Sequence, residues 1–212
     1  MRFGILGPLE VLHDDGPLEP GRPKQRAVLA ALLISANTVV SVDRLGHVLW
    51  PEGSGARSAG SLPVYVSNLR RLVEPERPPR TPPQRILTRA PGYLIRVGPG
   101  EYDVADFERL SAEGSRHLDE GRPRAARRAL VDALSLWRGR ALEEFPFAER
   151  EAERLEGLRV TTTRDRIVAD LALGEHGAVV AELEQLIHEH PLREGLVELL
   201  MLALYRAGRQ GE

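Results

Sequence analysis

The residues best suited to chemistry lie in one stretch, 57–74. On a helix turning about 100° per residue, Leu62, Tyr65, Val66, Leu69, Leu72 and Val73 share one face. Arg57, Gly60, Val64, Ser67 and Arg71 fall opposite, flanked by Asn68 and Arg70. The first set is a core face. The second holds small, hydroxyl, amide and guanidinium groups, with no acidic residue before Glu74. A solvated helix face ordinarily mixes both charge signs, and this one does not. Its composition suits a helix lying in a DNA major groove. Small residues allow close approach, arginine reaches guanine or phosphate, and serine or asparagine pairs with base edges. A second group follows in Arg85, Arg89 and Arg96, with Arg89 two residues before Pro91-Gly92. At the tip of a hairpin it would reach phosphates or a minor groove.

The sequence carries none of the common catalytic motifs. The chain has no Gly-x-x-x-x-Gly-Lys-Ser/Thr phosphate loop, no Gly-x-Ser-x-Gly elbow and no His-Glu-x-x-His. His188 and His190 lie two apart, so on a helix they point about 200° away from each other and make a poor metal pair. Trp50 and Trp137 are expected in the core, and the acidic run Glu143–Glu156 on a solvated face. No catalytic residue, cofactor or metal is expected. With no cysteine there is no disulfide framework. No apolar run reaches the length of a membrane span and the first residues lack signal-peptide character. The expectation is a cytoplasmic protein with no membrane partner.

The charge is uneven. Residues 1–100 carry 13 Lys+Arg and 8 Asp+Glu, and residues 101–212 carry 16 and 23. A basic front and an acidic back point to different partners.

The elements that would position these groups follow from local signals. Residues 2–12 read as one or two short strands interrupted at Gly7-Pro8, and Asp14-Asp15-Gly16-Pro17 as a turn. A helix is predicted over Pro23–Ser35, with Val28, Leu29, Leu32 and Leu33 for a core and Asn37 ending it. Val39-Val40 is extended. Ser41 caps a short helix, Val42–Trp50, that Pro51 stops. The third helix is expected over Ser58–Glu74, and Ile86–Val97 as a hairpin turning at Pro91-Gly92 in a type II turn. Gly98-Pro99-Gly100 is the expected domain boundary. Beyond it helices are predicted over Val104–Glu120, Arg124–Trp137, Phe147–Leu173, Gly177–Glu189 and Leu192–Ala207. The third of these is expected to break near Thr161-Thr162-Thr163. Leu173-Gly174 and Ala207-Gly208 are 34 residues apart, the period of tetratricopeptide helix pairs. The fold class is therefore mainly α: an N-terminal winged helix-turn-helix (residues 1–98), then an all-α tetratricopeptide-like domain (residues 101–212) expected to be truncated at its C-terminus.

Short motifs in this order make the resemblance specific. Gly7–Val11 (Gly-Pro-Leu-Glu-Val), Pro23–Ala30 (Pro-Lys-Gln-Arg-Ala-Val-Leu-Ala), Ser41–Leu45, Leu49-Trp50, Val64–Leu72 (Val-Tyr-Val-Ser-Asn-Leu-Arg-Arg-Leu) and Thr88–Tyr93 (Thr-Arg-Ala-Pro-Gly-Tyr) resemble the Streptomyces antibiotic regulatory protein family. Phe107–Leu110, Ala133–Gly139, Asp170–Gly174, His190–Glu194 and Leu200–Gln210 resemble its bacterial transcriptional activation domain. The resemblance implies an OmpR-type winged helix in a transcriptional activator of secondary-metabolite (antibiotic) genes. Such a protein binds direct repeats in double-stranded DNA near a promoter, as a homodimer on DNA, and recruits RNA polymerase holoenzyme.

By the same resemblance the DNA-facing residues would be Arg57, Ser61, Val64, Tyr65, Ser67, Asn68, Arg70 and Arg71, with Arg89 on the wing. Lys24 and Arg26 join them, because cations at a helix start are electrostatically unfavourable unless a phosphate binds there. The loop Pro51, Glu52, Gly53, Ser54, Gly55 and Ala56 would face polymerase. Pro63 departs from the family pattern: inside a helix it removes a donor and clashes with the carbonyl of Ala59, so the helix either starts late with Ser61 as its cap or kinks. The competing expectation is a helical protein–protein scaffold. Arg70 and Arg71 buried in ion pairs would favour it; their exposure, with Arg89 exposed as well, favours DNA.

Overall fold

The computed structural model describes residues 1–52 and 60–209. By packing the chain divides into two units: residues 1–106 with 137–154, and residues 107–136 with 155–212.

The first unit opens with a three-stranded antiparallel sheet, β1 (Arg2–Gly4), β2 (Glu10–His13) and β3 (Gly16–Leu18). The third strand takes up Gly16-Pro17, which local turn signals place in the turn. Helices α1 (Pro23–Ile34), α2 (Val42–Leu49) and α3 (Leu62–Val73) follow. A second sheet is built from β4 (Val40–Ser41) and the hairpin β5 (Ile86–Arg89) and β6 (Gly92–Ile95), in the order β4-β6-β5. This is the winged-helix arrangement.

Helix α1 is buried almost all round. Val28, Leu29, Leu32 and Leu33 are fully covered because α2, α3 and β6 pack on different sides of it. Beyond its end stands Asn37, in a left-handed conformation (φ 62°). The Asn37 N–H donates to the Ile95 carbonyl at 2.9 Å, and its side chain exchanges two hydrogen bonds with the backbone of Val97 (3.1 and 3.0 Å). Helix α1 itself ends at Ile34 with Ser35 as its C-cap, so Asn37, expected to end it, instead anchors the hairpin. Helix α2 begins as its cap dictates: Ser41 Oγ accepts from the Arg44 N–H at 3.1 Å, with Asp43 in the first turn. Ser41→Ala is expected to cost about 1 kcal/mol, read as a lower denaturation midpoint.

Helix α3 starts at Leu62, later than Ser58, so Pro63 occupies the first turn, where its missing N–H breaks no helical bond. Ser61 stands at the cap position without a side-chain cap; its carbonyl accepts from Val64 and Tyr65 (3.1 and 3.2 Å). The hairpin turn also differs from expectation. Arg89 pairs with Gly92, so the turn residues are Ala90 and Pro91, joined by a cis peptide that puts Pro91 third in a type VI turn.

Residues 137–154 complete this unit. Ile5, Leu6 and Leu9 are buried with backbone groups that no strand satisfies, and later residues supply the partners. Ile5 and Leu6 N–H groups donate to Asp103 Oδ2 (2.9 and 3.0 Å), Leu9 N–H to Glu144 (2.9 Å), and Arg138 N–H to the Leu6 carbonyl (2.8 Å). Burial pushes the Asp103 carboxyl above its ordinary pKa, despite these bonds and one from Arg138.

The second unit is helical. It comprises α4 (Asp103–Asp119) from Phe107 onward, α5 (Pro123–Leu134), the larger part of α6 (Glu149–Ala172), α7 (Val180–Glu189) and α8 (Glu194–Arg206). Helix α6 does not break at its three threonines. Each hydroxyl donates to the carbonyl four residues back, at 2.9–3.1 Å, which satisfies it within the helix, and buried Val160 and Thr162 hold the stretch helical by packing. Ala126, Leu130 and Ala169 form one buried cluster of this unit, with Leu118 packed on it. Ile167, Leu171, Val180, Leu183 and Leu196 form the other core. Buried Asp170 is held by Arg127 and Arg166 (2.6 and 2.5 Å). Gly174 and Gly208, 34 apart, both take left-handed turns (φ 91° and 75°). Among the described residues no helix is long and apolar enough to cross a membrane.

Candidate nucleic-acid interface

Helix α3 is sided as its periodicity requires. Leu62, Val66, Leu69 and Val73 are 3% exposed or less. Tyr65 and Leu72 are half-buried, at the edges of that face. Opposite them Val64 is 56% exposed, Pro63 and Arg71 are exposed, and Ser61, Ser67 and Asn68 are half-buried. Glu74, the one acid of the stretch, is turned inward: its Oε1 accepts from the N–H groups of Gln84 and Arg85, and its Oε2 pairs with Arg77 Nε at 3.0 Å. The exposed face of α3 therefore carries no free carboxylate.

At the hairpin tip Arg89, Ala90 and Pro91 are exposed. Arg96 is also exposed, but Arg85 is bound by Glu101. That pairing raises the Arg85 pKa and lowers that of Glu101. Among the described residues no acidic side chain engages Arg71 or Arg89.

Three other expected contacts stand differently. Arg70 turns to the hairpin: Nε donates to the Ile86 carbonyl and Nη2 to Thr88 Oγ1, both at 2.8 Å, and the guanidinium lies 5.9 Å from the Tyr93 ring centroid. Its burial lowers its pKa, an effect Tyr93 partly opposes. Arg26 pairs with Glu144 through Nε (2.9 Å) and Nη2 (2.6 Å). Lys24 is exposed, with its ammonium 4.8 Å from the Trp50 ring centroid. The cations at the start of α1 thus have partners within the protein, without recourse to phosphate. Arg57 and the loop residues Gly53, Ser54, Gly55 and Ala56 lie outside the described residues; Pro51 and Glu52 are exposed.

Glu144 was invisible to local reasoning, which places it on a solvated acidic face. It lies 118 residues from Arg26, and nothing in spacing or periodicity links the two. Burial pushes its carboxyl up, but the Arg26 bonds and the Leu9 N–H together bring it below its ordinary value of 4.5. A carboxyl depressed in the folded state stabilises above its unfolded pKa, and that contribution is lost as pH falls through the folded pKa. Glu144→Gln is expected to lower stability at pH 7 and to flatten the loss of stability below about pH 4.5. Denaturant melts at pH 7 and pH 3 check this. Parallel losses in both proteins would show that the pair contributes nothing.

Among the described residues no three His, Cys, Asp or Glu side chains are grouped to hold a metal. What the arrangement offers is recognition: hydroxyl, amide and guanidinium groups on one helix, beside a hairpin with an arginine near its tip.

Comparison with known proteins bears on what is recognised. Residues 102–212 match the family model for the bacterial transcriptional activator domain, and residues 19–95 that for the C-terminal domain of transcriptional regulatory proteins. The regulatory protein AfsR of Streptomyces coelicolor is 36% identical over the whole chain, which covers 21% of that protein. The regulatory protein DnrI of Streptomyces peucetius is 35% identical, again over the whole chain and over 80% of its own length. The transcriptional regulatory protein EmbR of Mycobacterium tuberculosis is 38% identical over 99% of the chain and 54% of that protein. A solved structure of Mycobacterium tuberculosis EmbR in complex with a low-affinity phosphopeptide superposes with a TM-score of 0.92, covering 99% of this chain and 56% of that one. The chain thus spans about a fifth of AfsR and about half of EmbR.

Proposed function

The chain belongs to the Streptomyces antibiotic regulatory protein family, and on that premise we propose that it is a sequence-specific DNA-binding transcriptional activator acting in the cytoplasm. Helix α3 enters a major groove, with Val64, Ser67, Asn68 and Arg71 toward the bases and Ser61 and Tyr65 at the flanks. Arg89 reaches the backbone or the adjacent minor groove from the wing. Arg57 joins the set from outside the described residues. Arg26 is assigned to holding Glu144, and Lys24 to the Trp50 face. The observation that carries this reading is the exposed face of α3, polar, cationic and free of carboxylate, next to a hairpin whose tip exposes Arg89. Of the arginines that discriminate, Arg71 and Arg89 are exposed, whereas Arg70 is half-buried, in hydrogen bonds to the hairpin and not in an ion pair; the scaffold alternative, which needs Arg70 and Arg71 buried in ion pairs, is therefore not favoured.

Two protomers on direct repeats would sit one helical turn, or a multiple, apart on one side of the duplex. The loop 51–56 would face RNA polymerase holoenzyme, and the helical unit would brace the dimer or meet polymerase. The regulated genes would be those of secondary-metabolite (antibiotic) biosynthesis.

Fluorescence anisotropy against a tandem-repeat promoter fragment and a scrambled duplex, at two salt concentrations, tests the reading. The expected result is binding that depends on the repeats and weakens steeply with salt, as phosphate neutralisation requires. Equal weak binding to both duplexes, or none, overturns sequence-specific recognition.

A further inference from the structure

In the sheet order β4-β6-β5, strand β5 is an edge. The β6 side of the hairpin is well tied. Gly92 and Tyr93 pair with Ser41 and Val40, the Val42 N–H donates to the Pro91 carbonyl at 3.1 Å, and Asn37 holds Ile95 and Val97. On the β5 side the Arg85 carbonyl is turned inward to Arg96, whereas the Ile86 carbonyl is met from outside by Arg70. A second donor of the same guanidinium takes Thr88 Oγ1, two residues along the strand. Its Cζ stands over the ring of Tyr93, 5.9 Å from the centroid, and Tyr93 is directly opposite Thr88 in the hairpin register. One side chain of α3 therefore bonds to β5 and lies over a ring of β6. Two donors in a rigid plane fix a direction as well as a distance, which a lysine ammonium cannot do.

We propose that Arg70 is a positioning residue that locks the wing to the recognition helix, so that the contact made by Arg89 is set from α3. Its consequence for DNA rests on the function proposed above; the lock itself does not. Arg71, one step round the helix, is the exposed arginine, and Arg70 reads no base.

The test uses Arg70→Lys, which keeps the charge and loses the fork, in the whole chain. In the free protein, amide exchange over Ile86–Ile95 is expected to quicken about tenfold, the worth of roughly one hydrogen bond, with α1 and α2 unchanged. On operator DNA, Arg70→Lys and Arg89→Ala are expected to weaken binding to a similar degree, and the double variant little further. Hydroxyl-radical protection should fade beside the major-groove site and persist within it. Unchanged exchange in the hairpin overturns the lock. Additive losses, or an altered base preference in Arg70→Lys, overturn the positioning role and make Arg70 a reader. Should the unaltered protein bind no operator, the DNA reading falls, and the exchange measurement still decides the lock.

Discussion

Gly92→Ala is expected to lower stability by about 3 kcal/mol or more, seen as a fall in melting temperature on the order of 10 °C. The cause is space. A Cβ at Gly92 would lie 1.9 Å from the Val40 carbonyl oxygen and 2.8 Å from Ser41 Cα. Both are backbone atoms of β4, and β4 has little room to retreat: Ser41 is also the cap of α2, and β6 continues to the Asn37 anchor. Separating the strands to admit a methyl group would break the Val40–Tyr93 and Ser41–Gly92 pairing that ties the wing to the helices. Gly46 is a matched control. It lies inside α2 with nothing within 4 Å of a built Cβ, so Gly46→Ala should be neutral or stabilise by roughly 0.5–1 kcal/mol. A Gly92→Ala protein that melts with the unaltered one would mean that β4 and β6 do not approach as described.

Arg71→Ala is expected to weaken operator binding by about 1–3 kcal/mol, roughly 5- to 150-fold, with no change in melting temperature. Arg71 is exposed on α3 and no acidic side chain among the described residues holds it, so its removal leaves no buried partner unpaired. Competition between operator and scrambled duplex tells which contact is lost. A base contact predicts that the loss falls on the operator and relaxes specificity at one position. A phosphate contact predicts equal losses on both duplexes and a salt slope shallower by about one. Unchanged affinity for both would remove Arg71 from the interface.

These two substitutions probe different kinds of information. The side of α3 that meets the core is a matter of local periodicity, and Leu62, Val66, Leu69 and Val73 are buried as their spacing requires. So is the cap of α2, because Ser41 and Arg44 are three residues apart and their bond forms wherever the helix forms. The hairpin and the helices of the second unit announce themselves in the same way, through β-branched runs, glycine turns and apolar repeats spanning a few residues. The order of these elements and the acid-free face of α3 were thus legible in the chain.

Where α3 starts was only half legible. Pro63 offered a late start or a kink, and packing chose the start at Leu62. The threonines of α6 misled because helix preference is a weak local signal that packing overrides, and Val160 and Thr162 are buried. Gly92 looked like a turn glycine, and the tertiary structure made it a close-approach glycine beneath β4. Arginine type and position are sequence facts, but a long flexible side chain goes to whichever acceptor folding brings within reach. Arg26 meets Glu144 across 118 residues and Arg70 meets β5 across 16 and 18, while Arg71 stays exposed. The sequence by itself determined the order of the main elements and which face of α3 meets the core and which is left acid-free, since both depend on neighbours within one or two helical turns. Which arginines remain exposed was decided only by tertiary structure, because ion pairs and strand edges are made between segments that no local pattern connects.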